Sequence, residues 1–131
     1  MKKTMLLFFT FFLMLFTAAC SDTQSQANYQ SITQEEAKQL MDTTTDYLIL
    51  DVRTEEEYQE SHIPNAICIP NETIDETVKE QLPNLEQTIL VYCRSGNRSK
   101  QASQKLAELG YTNILEFGGI QTWEYEIEKS E

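Results

Sequence analysis

The chain is expected to fold as an α/β domain around a doubly wound parallel sheet. Three observations predict this. Short apolar runs recur without polar alternation, at residues 47–50, 66–69 and 89–92, as in strands buried on both faces. Segments with helix start and stop signals separate them. The connections are short, so consecutive elements should form parallel βαβ units.

The first residues stand apart from this pattern. Lys2 and Lys3 precede an apolar run over residues 5–16, and small residues then lead to Cys20. Residues 1–19 therefore read as a secretory signal peptide, with a run that is short for a membrane span. Residues 20–30 are mostly polar and read as a tether. Residues 31–131 form the expected domain. Thr33-Gln34-Glu35-Glu36 is a capping box that opens a helix through about residue 41. Residues 47–50 follow as a strand. Thr54-Glu55-Glu56-Glu57 is a second capping box, starting a short helix near Tyr58. Residues 66–69 read as a strand stopped by Pro70. Residues 73–81 read as a helix that ends before Pro83. After the strand at 89–92, a helix runs from about residue 97 to residue 109. Its Ala102, Leu106 and Leu109 share one face, and Gly110 stands at the C-terminal cap. Residues 114–117 form the next strand, and Gly118-Gly119 turns into a last short helix containing Trp123.

Charge narrows the function. The formal net charge is −11, which argues against nucleic acid or bare anionic lipid as a partner. Yet residues 87–107 contain no Asp or Glu, while Arg94, Arg98, Lys100 and Lys105 all fall there. A basic island on an acidic chain is expected at a site for a small anion. A single histidine and three scattered cysteines do not make a metal-ligand set. Neither a metal nor a cofactor is expected.

The island contains Cys93-Arg94-Ser95-Gly96-Asn97-Arg98-Ser99. Cys93 ends a strand and precedes a helix. Unpaired N–H groups of a helix N-terminus and two guanidinium ions favour a thiolate and cradle an anion. Ligands of parallel sheets bind beyond the C-terminal strand ends, which is where Cys93 lies. The residues alone therefore point to a nucleophilic cysteine that attacks, or carries part of, a small anion.

Six motifs together carry a family resemblance. They are Asp51-Val52-Arg53, Glu57-Tyr58, His62-Ile63-Pro64-Asn65-Ala66, the Cys93–Ser99 loop, Leu109-Gly110-Tyr111, and Gly118-Gly119 with Trp123. In this order and spacing the chain resembles a single-domain rhodanese over roughly residues 32–127. The resemblance implies a doubly wound parallel sheet of about five strands with helices on both faces. It implies a sulfurtransferase in which Cys93 takes sulfane sulfur from thiosulfate or a persulfide donor. A thiol or cyanide would then accept the sulfur. It implies that Arg94, Ser95, Gly96, Asn97, Arg98 and Ser99 bind the small anionic donor. The six-residue loop is one residue shorter than in related phosphatases and arsenate reductases, which favours sulfur over a tetrahedral oxyanion. Asp51 and Arg53 match supporting residues, either as a salt bridge that holds the loop or in direct catalysis. Arg98 is either loop-closing or substrate-facing. His62 matches a motif that is more often structural than basic. Thr17-Ala18-Ala19-Cys20 separately resembles a bacterial lipobox, although Thr17 stands where an aliphatic residue is usual. That resemblance implies a lipid on Cys20 and attachment to the extracytoplasmic side of the cell membrane.

Two departures matter. Asn65 replaces a usual Gly, and Asn tolerates a left-handed conformation. Cys68 stands where relatives commonly have Asn. It is either a small buried residue or a resolving thiol that pairs with Cys93. The second reading would make the chain a thiol-disulfide redox protein. A non-enzymatic binding module on the same fold is a further alternative, which the retained cysteine and loop oppose.

Overall fold

The computed structural model describes residues 28–130. The signal peptide, Cys20 and most of the tether lie outside the described residues. Strand β1 (Gln30–Ser31) leads into helix α1 (Gln34–Thr43), β2 (Leu48–Asp51), α2 (Glu55–Glu60), β3 (Ser61–His62) and β4 (Ile67–Cys68). A 3-10 turn (Asn71–Thr73) and α3 (Val78–Gln81) precede β5 (Ile89–Cys93), α4 (Asn97–Glu108) and β6 (Ile114–Gly119). A second 3-10 turn (Ile120–Thr122) and β7 (Glu128–Lys129) complete the described chain.

Five strands form one parallel sheet in the order β1-β6-β5-β2-β4. The expected doubly wound architecture is present, with β5 at the centre and every one of its residues buried. Alternate residues of β5 serve opposite faces. Ile89, Val91 and Cys93 pack with Ala102 and Leu106 of α4 and with Val78 of α3. Leu90 and Tyr92 pack with Ala37 of α1 and Phe117, flanked by Tyr58 of α2. Helices therefore cover both faces, and apolar burial of this kind is the main source of stability.

The local signals act as read. Both capping boxes close, at Thr33 with Glu36 and at Thr54 with Glu57. At the end of α4, Gly110 has φ +102°. The N–H groups of Gly110 and Tyr111 donate to the carbonyls of Ala107 and Leu106 at 3.1 Å each, a Schellman closure. Asn65 takes the left-handed conformation at φ 66°.

Four readings change. Gln30, read as tether, pairs with Leu115 in β1. The helix expected over 73–81 is only a 3-10 turn and the four-residue α3. Between them Ile74 is extended and buried, while the Asp75 carboxylate accepts the N–H of Thr77 at 2.8 Å. Burial of Ile74 and this local side-chain bond outcompete helix propagation. The last helix is a 3-10 turn that ends before Trp123. The antiparallel pair of β3 and β7 was not expected. β7 is exposed and charged, so no apolar alternation announces it.

Asp51 knots the end of β2. Its carboxylate accepts from Arg53 Nε and Nη2 at 3.0 and 2.7 Å, from the Arg53 N–H at 3.0 Å, and from the Tyr92 hydroxyl at 2.7 Å. Burial pushes the Tyr92 hydroxyl up, so Tyr92 stays a neutral donor. Tyr92 in turn accepts the N–H of Ile63, and Arg53 reaches the Ser61 carbonyl at 2.6 Å. Asp51 and Arg53 thus form the expected salt bridge, tying β2, β5 and the segment after α2. Asp51→Ala would strand the Arg53 guanidinium, whose side chain is only 5% exposed. Breaking such a buried pair costs about 3–5 kcal/mol, much of the ~5–15 kcal/mol that stabilises a typical domain. Urea denaturation should show a lowered midpoint with an unchanged slope.

Candidate active site

Asp51, Cys93 and Gly119 all end strands at the same edge of the sheet, with Cys93 in register with Gly119. This is the C-terminal edge, where open parallel sheets bind ligands. Cys93 is 1% exposed and sits beneath the turn into α4. Gly96 makes that turn with φ +103°, a conformation that favours glycine. Its N–H donates to Cys93 Sγ at 3.0 Å. Among the described residues, no acceptor takes the N–H groups of Arg94, Ser95, Asn97 or Arg98. These donors, backed by the positive end of α4, suit an anion.

Gly119 lets the loop lie flat against β6. A Cβ there would overlap the Arg94 carbonyl and come within 2.6 Å of the Ser95 nitrogen. The Arg94 carbonyl also accepts the Gln121 N–H at 3.1 Å. The start of the loop is thus fixed by backbone.

The four basic residues of the island separate. Arg94 and Lys100 are exposed beside the loop. Arg98 is half-buried, and its two Nη atoms donate to both carboxylate oxygens of Glu57 at 2.8 and 3.0 Å. Lys105 donates to the Asn71 carbonyl at 2.7 Å. Arg98 therefore closes the loop onto α2, with its guanidinium spent on Glu57 and only its backbone N–H left for an anion. Ser95 and Asn97 are exposed at the loop.

Ser99 is a second correction. Its side chain faces inward, not toward a ligand. It accepts from the Cys93 thiol at 3.5 Å and lies 2.6 Å from Glu116 Oε1. Glu116 is 2% exposed, and the sequence reading passed over it. The available signal was a lone carboxylate inside an apolar strand that should be buried on both faces. Glu57 was read as a helix cap and as part of the Glu57-Tyr58 motif, not as a partner of Arg98. Its pairing with Arg98 spans 41 positions and leaves no local signature.

His62 is bonded to groups outside the Cys93–Ser99 loop. Its Nδ1 meets the Tyr58 carbonyl at 2.9 Å and its Nε2 meets Glu128 at 3.0 Å, a structural role. The Cys68–Cys93 pairing meets a geometric obstacle. β2 lies between their strands. Two strand spacings of about 4.8 Å exceed the roughly 7 Å that a disulfide tolerates. Cys68 also shares its register with Asp51 and Tyr92, on the sheet face opposite Cys93. Burial, with Asp51 and Glu55 nearby, pushes its thiol up to about 11, so it is a poor attacking group.

Comparison with known proteins agrees with this geometry. The model of the rhodanese-like domain family matches residues 33–126. Thiosulfate sulfurtransferase PspE of Escherichia coli (strain K12) is 39% identical over 72 residues, covering 55% of this chain and 69% of that protein. A sulfurtransferase of Allochromatium vinosum is 37% identical over 93 residues, covering 70% of this chain and 85% of that protein. Against adenylyltransferase and sulfurtransferase UBA4 of Candida albicans the identity is 31%, and the chain spans only 24% of that protein. Among solved structures, a rhodanese with anions from Escherichia coli superposes with a TM-score of 0.59 at 34% identity, over 64% of this chain and 99% of that one. A rhodanese-like domain protein from Staphylococcus aureus gives 0.65 at 30% identity, over 79% of this chain and all of that one.

The Arg98–Glu57 pair makes a pH prediction. Hydrogen bonds from Arg98 hold the Glu57 carboxyl down from 4.5 to about 2. A depressed carboxylate contributes stability that is present above its unfolded value and lost as pH falls through the folded one. The loss should therefore fall between about pH 4.5 and about pH 2. Both side chains are a quarter exposed, so the contribution is on the order of 1 kcal/mol. Urea midpoints of Glu57→Gln should lie below those of the parent at neutral pH and converge with them toward pH 2.

Proposed function

The chain belongs to the rhodanese-like domain family, and we propose that it is a sulfurtransferase that carries sulfane sulfur as a Cys93 persulfide. The observation that carries this reading is the buried thiol at the start of α4, with the Gly96 N–H on Sγ at 3.0 Å and unclaimed loop amides around it. In the first half-reaction, Cys93 sulfur attacks the outer sulfur of thiosulfate or a persulfide donor. The donor's S–S bond breaks, and sulfite or a thiolate leaves with the bonding pair. The terminal sulfur, now anionic, is held by the N–H groups of residues 94–98. In the second half-reaction a thiol or cyanide attacks that sulfur, and Cys93 leaves as thiolate. This is covalent catalysis in two steps. Arg94 and Lys100, exposed at the mouth, raise the local concentration of an anionic donor on an otherwise acidic surface. The short loop and its tight approach to Gly119 suit one sulfur atom better than a tetrahedral oxyanion.

Two further features belong to the same proposal. The family resemblance and the position of Cys68 favour sulfur transfer over thiol-disulfide exchange. The N-terminal motif supports a lipid on Cys20, which would hold the domain on the extracytoplasmic side of the cell membrane.

Intact-mass spectrometry of the full chain after thiosulfate treatment tests the reaction. The expected result is one added sulfur atom that needs Cys93 and survives Cys68→Ser. Loss of two hydrogens in place of sulfur gain, requiring both cysteines, would overturn it in favour of redox exchange. Cys20→Ser should move the protein from the membrane fraction to the soluble one. Retention in the membrane would exclude the lipid anchor.

A further inference from the structure

Behind the proposed nucleophile lies a line of buried polar groups that leads away from the substrate side. Cys93, Ser99 and Glu116 are 1%, 0% and 2% exposed. The Cys93 thiol donates to Ser99 Oγ at 3.5 Å. Ser99 Oγ lies 2.6 Å from Glu116 Oε1, 3.0 Å from the Gly96 carbonyl and 3.4 Å from the Gly118 carbonyl. A hydroxyl has one hydrogen, and the shortest contact, to a carboxylate, is the strongest acceptor for it. The carboxylate is fixed from two other sides. The Gly118 N–H donates to Oε1 at 2.9 Å, and the Ser31 hydroxyl donates to Oε2 at 3.1 Å. These groups come from four elements: β5, α4, β6 and β1.

The position of Glu116 is costly. It shares the α4 face of β6 with Ile114, which belongs to the apolar core. A buried carboxylate is expensive unless it is well bonded. Its Oε1 is spent on the hydroxyl that touches the thiol.

We propose that Glu116 is a positioning residue that receives the Cys93 proton through Ser99 and so prepares the thiolate for sulfur transfer. The step balances internally. The Cys93 proton passes to Ser99 Oγ while the Ser99 hydroxyl proton passes to Glu116 Oε1. Sulfur keeps the S–H bonding pair and attacks the donor's outer sulfur, whose leaving group departs with its own pair. Afterwards Ser99 donates to the sulfur, and the protonated Glu116 donates to Ser99. The thiol with carboxylate, and the persulfide anion with carboxylic acid, carry the same net charge. Loading therefore adds no uncompensated charge to the buried site. When the acceptor removes the sulfur, the proton returns along the same line.

Two cations of α4 stand near this pair. From α4, Arg98 is turned to Glu57, and Lys100 lines the cleft that also borders Glu116. From the β1–α1 junction come the neutral Ser31, Thr33 and Gln34. Glu35 is exposed, and Glu36 is turned back to cap the Thr33 N–H at 2.8 Å. Cys93 is the titratable group that β5 presents to this face.

This inference rests on the sulfurtransferase reading, and its test separates the two. The rate of sulfur loading from thiosulfate is followed across pH by quenched intact-mass spectrometry, alongside alkylation of Cys93 by iodoacetamide. Glu116→Gln keeps the acceptor for Ser99 and Gly118 but cannot take a proton. It should load at least tenfold more slowly at neutral pH and recover as pH passes the ordinary thiol range near ~8.5. Alkylation should shift in the same way, and Glu116→Asp should restore part of the neutral rate. If Glu116→Gln fails to fold by circular dichroism, Ser99→Ala, which breaks the same line without changing charge, carries the same expectation. A variant that follows the parent's pH profile, or falls equally at every pH, overturns the relay. If the parent never loads sulfur, the sulfurtransferase reading fails, while the alkylation profiles still decide the relay.

Discussion

Residues 94–96 reverse the chain from β5 into α4, and this turn works only because two glycines surrender their side chains. Gly96 supplies the left-handed backbone that aims its N–H at Cys93 Sγ. Gly119 supplies the empty space into which the Arg94 carbonyl fits. Adding a carbon at either position would set the loop against its own geometry. Everything chemical about this molecule follows from that packing. The thiol is buried, the helix start stands over it, and the loop amides remain without acceptors.

Three carboxylates then support this turn from three directions. Asp51 holds Arg53 and Tyr92 at the neighbouring strand end. Glu57 draws Arg98 down onto α2. Glu116 stands behind, bonded to Ser99 and Gly118. An acidic chain thus uses its acids to fix basic and polar groups around the proposed anion site. Arg53 and Arg98 are consumed as structure, whereas Arg94 and Lys100 stay exposed. The long-range field and the local framework are therefore handled by different cations.

The two described cysteines show how environment divides one functional group into two roles. Cys93 meets an N–H donor and a serine hydroxyl, below a helix start. Cys68 meets the Arg53 carbonyl at 3.6 Å, with Asp51, Glu55 and Glu57 nearby. Donors and positive potential stabilise a sulfur anion, while carbonyls and carboxylates oppose it. The strand between them keeps the thiols apart, so the proposed nucleophile stands clear of a second thiol.

Much of this was legible in the sequence because it is local. A capping box needs four consecutive residues, and those at Thr33 and Thr54 closed as read. The apolar runs at β2, β4 and β5, the glycine after α4 and the cysteine at a strand end all declare themselves within a short window. Features that depend on partners far along the chain did not. The pairing of β3 with β7, the shortening of the helix before Pro83, the turning of Arg98 to Glu57 and the placement of Glu116 behind Ser99 arise from long-range packing. Sequence alone determined the sheet, its edge and the loop that carries Cys93, since hydrophobic period and turn chemistry act between near neighbours. Only the tertiary structure decided which charges stay exposed beside the loop and which are locked away. Burial and distance set that outcome, and both belong to the folded chain rather than to any segment of it.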